Sequence, residues 1–412
     1  MKWPEYLLPY LVEINPQRPR SLDLSDDSPV TFVPMSAVSE VTASIVNPEF
    51  RPYAEVKKGF TYFGNDDVLL AKITPCMENG KSAIATELCD GIGFGSTEFH
   101  ILRANKKILF PKFLHYFIRQ ECFRNFAKSR MRGAVGQQRV PKDFFYEVKL
   151  PLPPLSEQRR IVEILDQADA LRKKRAEADA KAARILPALF YKMFGDPATN
   201  KDQTFQSLVD CAEILMGQSP PGETYNREGD GLPFFQGKLE FGSVHPIVRQ
   251  WCSSPTRIAE PGDVLLCVRA PVGPTNIADT KCAIGRGLAI IRPIPSKSTT
   301  EFLFYSMRVI EKDLAKIAQG STFTAIRRQD VEKIRVPKAG MKEQAAFSAK
   351  AKIIQVLIDK GTTSINNIER LFIVLLHRAF TGDLTAKWRE AHMKELLQEM
   401  EQQAKELEIK EP

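Results

Sequence analysis

Three short runs in this chain carry side chains that could do chemistry. Asp143 with Glu147-Val148-Lys149 imitates the acid and Glu-x-Lys set that holds a divalent cation for phosphodiester cleavage, but only three residues separate the two acids. Asn47-Pro48-Glu49-Phe50 is close to the Asn-Pro-Pro-Phe pattern that orients an adenine amine for methylation, yet the second proline is missing and no glycine motif for S-adenosylmethionine precedes it. Gly91-Ile92-Gly93-Phe94-Gly95 suggests a phosphate cradle, which needs a helix N-terminus directly after it. The residues that follow, Ser96-Thr97-Glu98-Phe99-His100-Ile101-Leu102, read as a strand. With no Walker lysine motif either, the chain is expected to catalyse nothing alone.

The seven cysteines (76, 89, 122, 211, 252, 267 and 282) are widely scattered and never spaced C-x-x-C, and the five histidines form no ligand pair. That pattern argues against a disulfide framework and against metal chemistry, and predicts reduced, mostly core cysteines. No run of about 18 apolar residues exists, and Met1-Lys2-Trp3-Pro4-Glu5 lacks the layout of a signal peptide. A cytoplasmic protein without membrane contact is expected.

Charge points toward nucleic acid. The 412 residues carry a formal net charge of +8, and residues 103–142 hold eleven Lys/Arg against the single acid Glu121, a local net of +10. That stretch ends in Lys128-Ser129-Arg130-Met131-Arg132-Gly133-Ala134-Val135-Gly136-Gln137-Gln138-Arg139. Cations suit the phosphate backbone, glycine permits close approach, and Gln and Arg can bond base edges.

The elements that would position such a loop occur twice. Thr31-Phe32-Val33-Pro34-Met35 resembles Pro233-Phe234-Phe235-Gln236-Gly237; Asp67-Val68-Leu69-Leu70 matches Asp263-Val264-Leu265-Leu266; and Ile92-Gly93-Phe94-Gly95 lines up with Ile284-Gly285-Arg286-Gly287. Phe113-Leu114-His115-Tyr116 matches Phe302-Leu303-Phe304-Tyr305, Asp143 meets Asp330, and Pro151 with Glu157-Gln158 meets Pro337 with Glu343-Gln344. The offset falls steadily from 202 to 186 residues, as expected of two copies that differ by small loop insertions. Each copy runs from a β-rich stretch to an amphipathic helix, a polar Gly-containing loop and a long helix, so each is a mixed α/β (α+β) module with a helical arm.

The first long helix is expected to start at the N-cap Ser156 and run to Phe194, ended by Gly195-Asp196-Pro197, with Pro187 bending or breaking it. Its heptad seam reads Ile161, Ile164, Ala168, Leu171, Arg175, Ala178, Ala182, Ile185, Leu189; the second copy gives Phe347, Lys350, Ile354, Leu357, Gly361, Ser364, Ile368, Leu371, Leu375. Matched seams predict an antiparallel coiled coil with the modules related by an approximate two-fold axis, although each helix could instead lie on its own module. The resulting domains are 1–152, helix 156–194, 198–339, helix 342–380 and a tail 381–412, whose residues 385–412 carry a net charge of −2, expected as a solvent-exposed or partner-docking helix.

The run Leu150-Pro151-Leu152-Pro153-Pro154-Leu155-Ser156-Glu157-Gln158-Arg159-Arg160-Ile161-Val162 resembles the conserved region of specificity (S) subunits of type I restriction–modification enzymes. Phe380-Thr381-Gly382-Asp383-Leu384-Thr385-Ala386-Lys387-Trp388-Arg389 resembles the end of that family's second helix, and Thr31-Phe32-Val33-Pro34-Met35 with Ser96-Thr97-Glu98-Phe99 resembles pieces of its target-recognition domains. The resemblance implies tandem target-recognition domains that read the two halves of a bipartite asymmetric site in double-stranded DNA. It implies spacer helices that dock two methyltransferase (modification) subunits, with restriction-translocase subunits joining and with S-adenosylmethionine, ATP and Mg on those partners. Gln344-Ala345-Ala346-Phe347 departs from Gln158-Arg159-Arg160-Ile161, which weakens the case for symmetric docking. The rival readings are a self-sufficient methyltransferase or nuclease with duplicated domains, and an orphan or decoy that binds the methyltransferase.

By position the DNA contacts are expected in the loop before Asp143 (Arg130, Arg132, Gln137, Gln138, Arg139, Lys142) and in its counterpart (Gln319, Ser321, Thr322, Arg327, Arg328), with Lys72, Lys81, Lys238 and Arg269 as second choices. The stretch 302–335 has a net charge of only +3, so the first copy is expected to contribute more of the salt-dependent affinity.

Overall fold

The computed structural model describes residues 3–19, 24–195, 204–319 and 325–408. By contact the chain divides into unit 1, residues 1–176 with 364–412, and unit 2, residues 177–363.

In unit 1 an antiparallel sheet has the order Val12–Ile14, Phe99–Ala104, Val68–Ala71, Ser82–Ile84. A second sheet runs Glu49–Pro52, Pro29–Val33, Ile92–Gly95, Thr61–Gly64, with the middle pair parallel. The strand Glu5–Leu7 pairs with Lys149–Pro151. Unit 2 repeats this plan: Ala212–Met216, Leu288–Pro293, Val264–Cys267, Thr275–Ile277 in one sheet, and a parallel pair, Leu232–Phe235 with Cys282–Ile284, inside the other. Phe205–Ser207 pairs with Arg335–Pro337. Strand register refines the sequence alignment in one place. Gly95 faces Val33 and Ile284 faces Phe235, so Ile284 is the counterpart of Gly95 rather than of Ile92.

The continuous apolar runs Val68-Leu69-Leu70-Ala71 and Val264-Leu265-Leu266-Cys267 are buried at every position, as inner strands covered on both faces require. Each is preceded by the same turn. Asp66 and Gly262 take positive φ (71° and 92°), and the next residue, Asp67 or Asp263, turns its carboxylate back onto the backbone N–H of Gly64 (2.7 Å) or Glu260 (2.8 Å). The same carboxylates grip Arg103 and Arg292 in two-pronged pairs of 2.7–2.9 Å. Duplication therefore extends to individual ion pairs.

Helices Pro111–Ile118 and Thr300–Val309 cover one face of each module, the first started by proline at its N-terminus, the second capped by Thr299 Oγ1 accepting from the Phe302 N–H. One glutamine joins each of these helices to the start of a long helix. Gln158 Oε1 accepts from the Phe110 N–H (2.7 Å) while its amide donates to Ile108 and Pro153 carbonyls (both 2.8 Å); Gln344 does the same with Thr299 (3.0 Å), Lys297 (3.1 Å) and Ala339 (2.9 Å). Both glutamines are fully buried. Gln158→Leu and Gln344→Leu are each expected to cost about 2 kcal/mol by orphaning backbone groups, and chemical denaturation showing a loss in one copy only would contradict their equivalence.

The long helices are Leu155–Ala182, continued after a break as Ile185–Phe194, and Met341–Thr381. The break falls where Pro187 predicts it, since its ring displaces the carbonyl four residues earlier, at Ala183. The helix starts at Leu155 and is not capped by the Ser156 side chain; Glu399 of the tail accepts the Ser156 N–H instead (3.0 Å). Within each unit the pairing is antiparallel. In unit 1 Ile161 and Leu165, near the start of the first helix, share a core with Phe372 and Leu376 near the end of the second, and Arg172 bonds Glu369 (2.8 Å). In unit 2 Phe190 and Phe194 from the end of the first helix pack on Phe347 near the start of the second, at ring distances of 5.5 and 5.4 Å.

The predicted seam is half right. Ile161, Ala168, Leu189, Phe347, Ile354 and Leu375 join the cores, Ala182 and Ile368 are half-buried, and Leu171, Ile185, Leu357 and Leu371 are exposed. One residue further on, Leu165, Leu186, Phe190, Ala351, Phe372 and Leu376 are the buried ones. Both arms shift alike because each stretch of helix packs against the module of its unit as well as against the other helix. That wider face follows the 3.6-residue period rather than the narrow 3.5-residue stripe of an isolated coiled coil.

The tail is also corrected. Helices Ala386–Ala391 and Met393–Glu408 pack onto unit 1, burying Leu396 and Leu407. Gln403 donates to the Ile108 carbonyl (3.0 Å) that Gln158 also bonds, and Lys107 pairs with Glu406 (3.0 Å). Arg389 reaches Glu157 Oε1 (2.8 Å), which the Thr385 hydroxyl also bonds (2.6 Å), while Trp3 Nε1 donates to the other carboxylate oxygen (3.0 Å).

Candidate nucleic-acid interface

In unit 1 the helix Glu121–Ser129 runs into a hairpin. Arg132 and Arg139 face each other across an antiparallel bridge, N–H to carbonyl in both directions at 2.9 and 2.8 Å. Gly133 has φ +123°, and a Cβ there would meet the Gln137 carbonyl at 3.0 Å, so the turn requires glycine. Val135 at the tip is 98% exposed. The root of the hairpin is tied to the end of a core strand: Val140 N–H bonds the Lys72 carbonyl and Thr74 N–H the Gln138 carbonyl, both at 2.9 Å. Lys72, Gln137, Gln138, Arg139 and Lys142 are therefore brought to one place.

His100 completes the root, and no motif in the sequence marks it. Its Nε2–H donates to the Val140 carbonyl (2.8 Å), and Nδ1 accepts from the Asn15 amide (3.3 Å). Burial pushes its pKa down to about 4, so the ring is neutral and this tautomer follows. In unit 2 Arg269 bridges Ala325, and Ile326 N–H bonds the Val268 carbonyl (2.9 Å), repeating the root. Ser321 and Thr322, and the side chain of Gln319, lie outside the described residues. Arg327 donates its backbone N–H to Asp330 (2.8 Å), Arg328 pairs with Glu332 (2.7 Å), and Lys238 is exposed on a single helical turn, Lys238–Glu240.

The +10 stretch is not one cationic face. Eight of its eleven cations pair with carboxylates: Arg103 with Asp67, Lys106 with Asp66, Lys107 with Glu406, Lys112 with Asp166, Arg119 with Asp169, Arg130 with Glu147, Arg132 with Asp143 and Arg139 with Glu98. Lys107, Lys112 and Arg119 point at the long and tail helices. Arg124 bonds the Arg119 carbonyl, and Lys81 the Met35 carbonyl (3.3 Å). Among the described residues Lys128 and Lys142 have no carboxylate within 4.0 Å. The nuclease-like acids Asp143 and Glu147 are thus occupied by arginines, and Gly93 to Gly95 lie in a strand rather than before a helix. Cys211, Cys252, Cys267 and Cys282 are buried, Cys76 and Cys89 half-buried and Cys122 exposed. Burial pushes the Cys211 thiol up to about 11 and those of Cys267 and Cys282 up to about 12, which leaves them protonated and inert.

A family described as type I restriction modification DNA specificity domain matches residues 3–179 and again 201–370. The chain belongs to the type I restriction–modification DNA specificity subunits. This specificity subunit is 34% identical over 302 residues to a putative type I restriction enzyme MjaX specificity subunit from Methanocaldococcus jannaschii, covering 70% of this chain and 71% of that one. It is similar, at 32% identity and a TM-score of 0.59, to a chain solved under the description of complex assembly and conformational transition of the type I R-M system, over 93% of this chain and 98% of that chain. An S subunit from M. genitalium, 14% identical with a TM-score of 0.56 over 92% and 96% of the two chains, shares the fold. The two family matches coincide with the two copies, so each α/β module with its arm is one specificity domain. No helix among the described residues is long and apolar enough to cross a membrane.

Proposed function

We propose that the two modules of this specificity subunit read the two halves of a bipartite, asymmetric site in double-stranded DNA, and that the long helices set the unread gap between them. The observation that carries this reading is the double family match on two copies with one skeleton and different loops: Arg130 to Lys142 has no likeness in sequence to Gln319 to Arg328. Two methyltransferase subunits dock on the helices. In support, the outward faces of the long helices leave apolar side chains exposed: the seam residues Leu171 and Leu371 with neighbouring Val374 in unit 1, and the seam residues Ile185 and Leu357 with neighbouring Ile353 in unit 2. Restriction-translocase subunits complete the complex in the cytoplasm, and S-adenosylmethionine, ATP and Mg act on the partners while this chain catalyses nothing alone.

Inserting one heptad into each long helix is expected to lengthen the gap of the methylated site by roughly 10 Å, about three base pairs. Methylome sequencing reads both half-sites and the gap, and an unchanged gap would sink the ruler. Methyl transfer or DNA cleavage by the purified chain alone would contradict the non-catalytic assignment.

A further inference from the structure

The hairpin holds its arginines in an unusual way. Residues directly opposed across an antiparallel bridge send their side chains to the same face, so Arg132 and Arg139 form a pair of guanidinium groups on one side of the loop. Each already holds an anion. Arg132 meets Asp143 at 3.0 Å, and Arg139 sets Nε and a terminal nitrogen on the Glu98 carboxylate at 2.9–3.1 Å, the fork that a phosphate also fits. These pairs are open to water, with Arg132 and Asp143 side chains 69% and 58% exposed and Arg139 and Glu98 43% and 26%. Exposed pairs are weak and exchange readily. The hairpin itself does not depend on them, because the Arg132–Arg139 backbone bonds, the Lys72–Val140 bond and His100 fix it from behind.

We propose that Glu98 and Asp143 are phosphate placeholders, which occupy Arg139 and Arg132 in the DNA-free chain and are displaced by backbone phosphates when DNA binds. Their presence lowers the sequence-independent affinity of the hairpin, so that the chain does not adhere to every duplex it meets. The inference rests on the reading that this hairpin faces DNA.

The test is fluorescence anisotropy of the full-length chain with a labelled duplex of random sequence, titrated over a range of salt. Glu98→Gln and Asp143→Asn are each expected to tighten binding about two- to fivefold, whereas Arg132→Gln and Arg139→Gln weaken it and each reduce the salt slope by about one. If the arginine variants weaken binding but the carboxylate variants weaken it too or leave it unchanged, the placeholder inference is overturned and the DNA-facing hairpin stands. If the arginine variants change neither affinity nor slope, both fall. Asp143→Asn guards against a folding artefact, since its carboxylate is exposed and is bonded to no backbone group within the described residues.

Discussion

Glu157→Ala is expected to destabilise unit 1 by about 3–5 kcal/mol, whereas the matching change in the second copy, Glu343→Ala, is expected to cost about 0.5 kcal/mol. The two glutamates occupy the same place in the repeat and differ in what surrounds them. Glu343 is exposed and among the described residues accepts only the Gly340 N–H at its own helix start (3.2 Å). Glu157 is 0% exposed and receives Trp3 Nε1, the Thr385 hydroxyl and Arg389 Nε, so its removal strands a buried guanidinium whose remaining side-chain partner is the Thr385 hydroxyl. Arg389 is also 7% exposed and stacks over the Trp3 ring at 4.7 Å, leaving it little access to water. Indole fluorescence can follow the transition, because Trp3 and Trp388 lie in unit 1 and Trp251 alone reports on unit 2. Replacing both partners, Glu157→Leu with Arg389→Leu, should cost less than the sum of the single changes, since no orphaned charge remains. Equal losses for the Glu157 and Glu343 variants would refute the buried-clasp account.

Acidification below pH 6.5 is expected to destabilise unit 1 at up to about 1.4 kcal/mol per pH unit for each of two histidines. His100 is pushed down to about 4 and His115 to about 3, in both cases chiefly by burial. His115 bonds the Ser82 hydroxyl (3.2 Å) and lies close to Arg119, which further disfavours a second positive charge. The sign follows from the direction of these shifts. With the folded value below the unfolded one, the unfolded chain takes up protons that the folded chain refuses, so stability is complete above about 6.5. It is lost as pH falls, until the decline from His100 levels off near 4 and that from His115 near 3. Asp169, held below the usual carboxylate range because Arg119 and Lys173 outweigh its burial, adds its own loss only from the lower end of that window. Chemical denaturation between pH 7 and about 4.5 measures the slope. A His100→Gln, His115→Gln variant should flatten it, and an equally steep decline in that variant would show that other groups are responsible.

Much of this architecture was legible because the chain states it twice. Asp67 and Asp263, or Gln158 and Gln344, recur at corresponding places in the repeat, and a repeated residue at a repeated place implies a repeated contact. Local rules sufficed for the helix break before Pro187 and for the strand that follows the Gly91–Gly95 run, observed as Phe99–Ala104. Two kinds of feature were out of reach. The phase of the helical seam depends on which neighbours cover each side, and heptad counting supplies only one neighbour. Heptad counting therefore places Ile185 and Leu371 inside, where Leu186 and Phe372 belong.

The second kind is charge. A count of lysines and arginines is local, but the acids that answer them come from 11 to 299 residues away, Asp143 for Arg132 and Glu406 for Lys107 among them. The +10 of residues 103–142 survives as composition and disappears as a surface. What the sequence by itself determined was the duplicated α/β plan and the paired long helices, which rest on periodicity and repetition along the chain, and the family, which rests on the resemblance of its motifs. Only the tertiary structure decided which cations remain available and where the tail lies. It also decided that the Arg132–Arg139 hairpin is held from behind by His100, because each of these depends on side chains that meet only after the chain has folded.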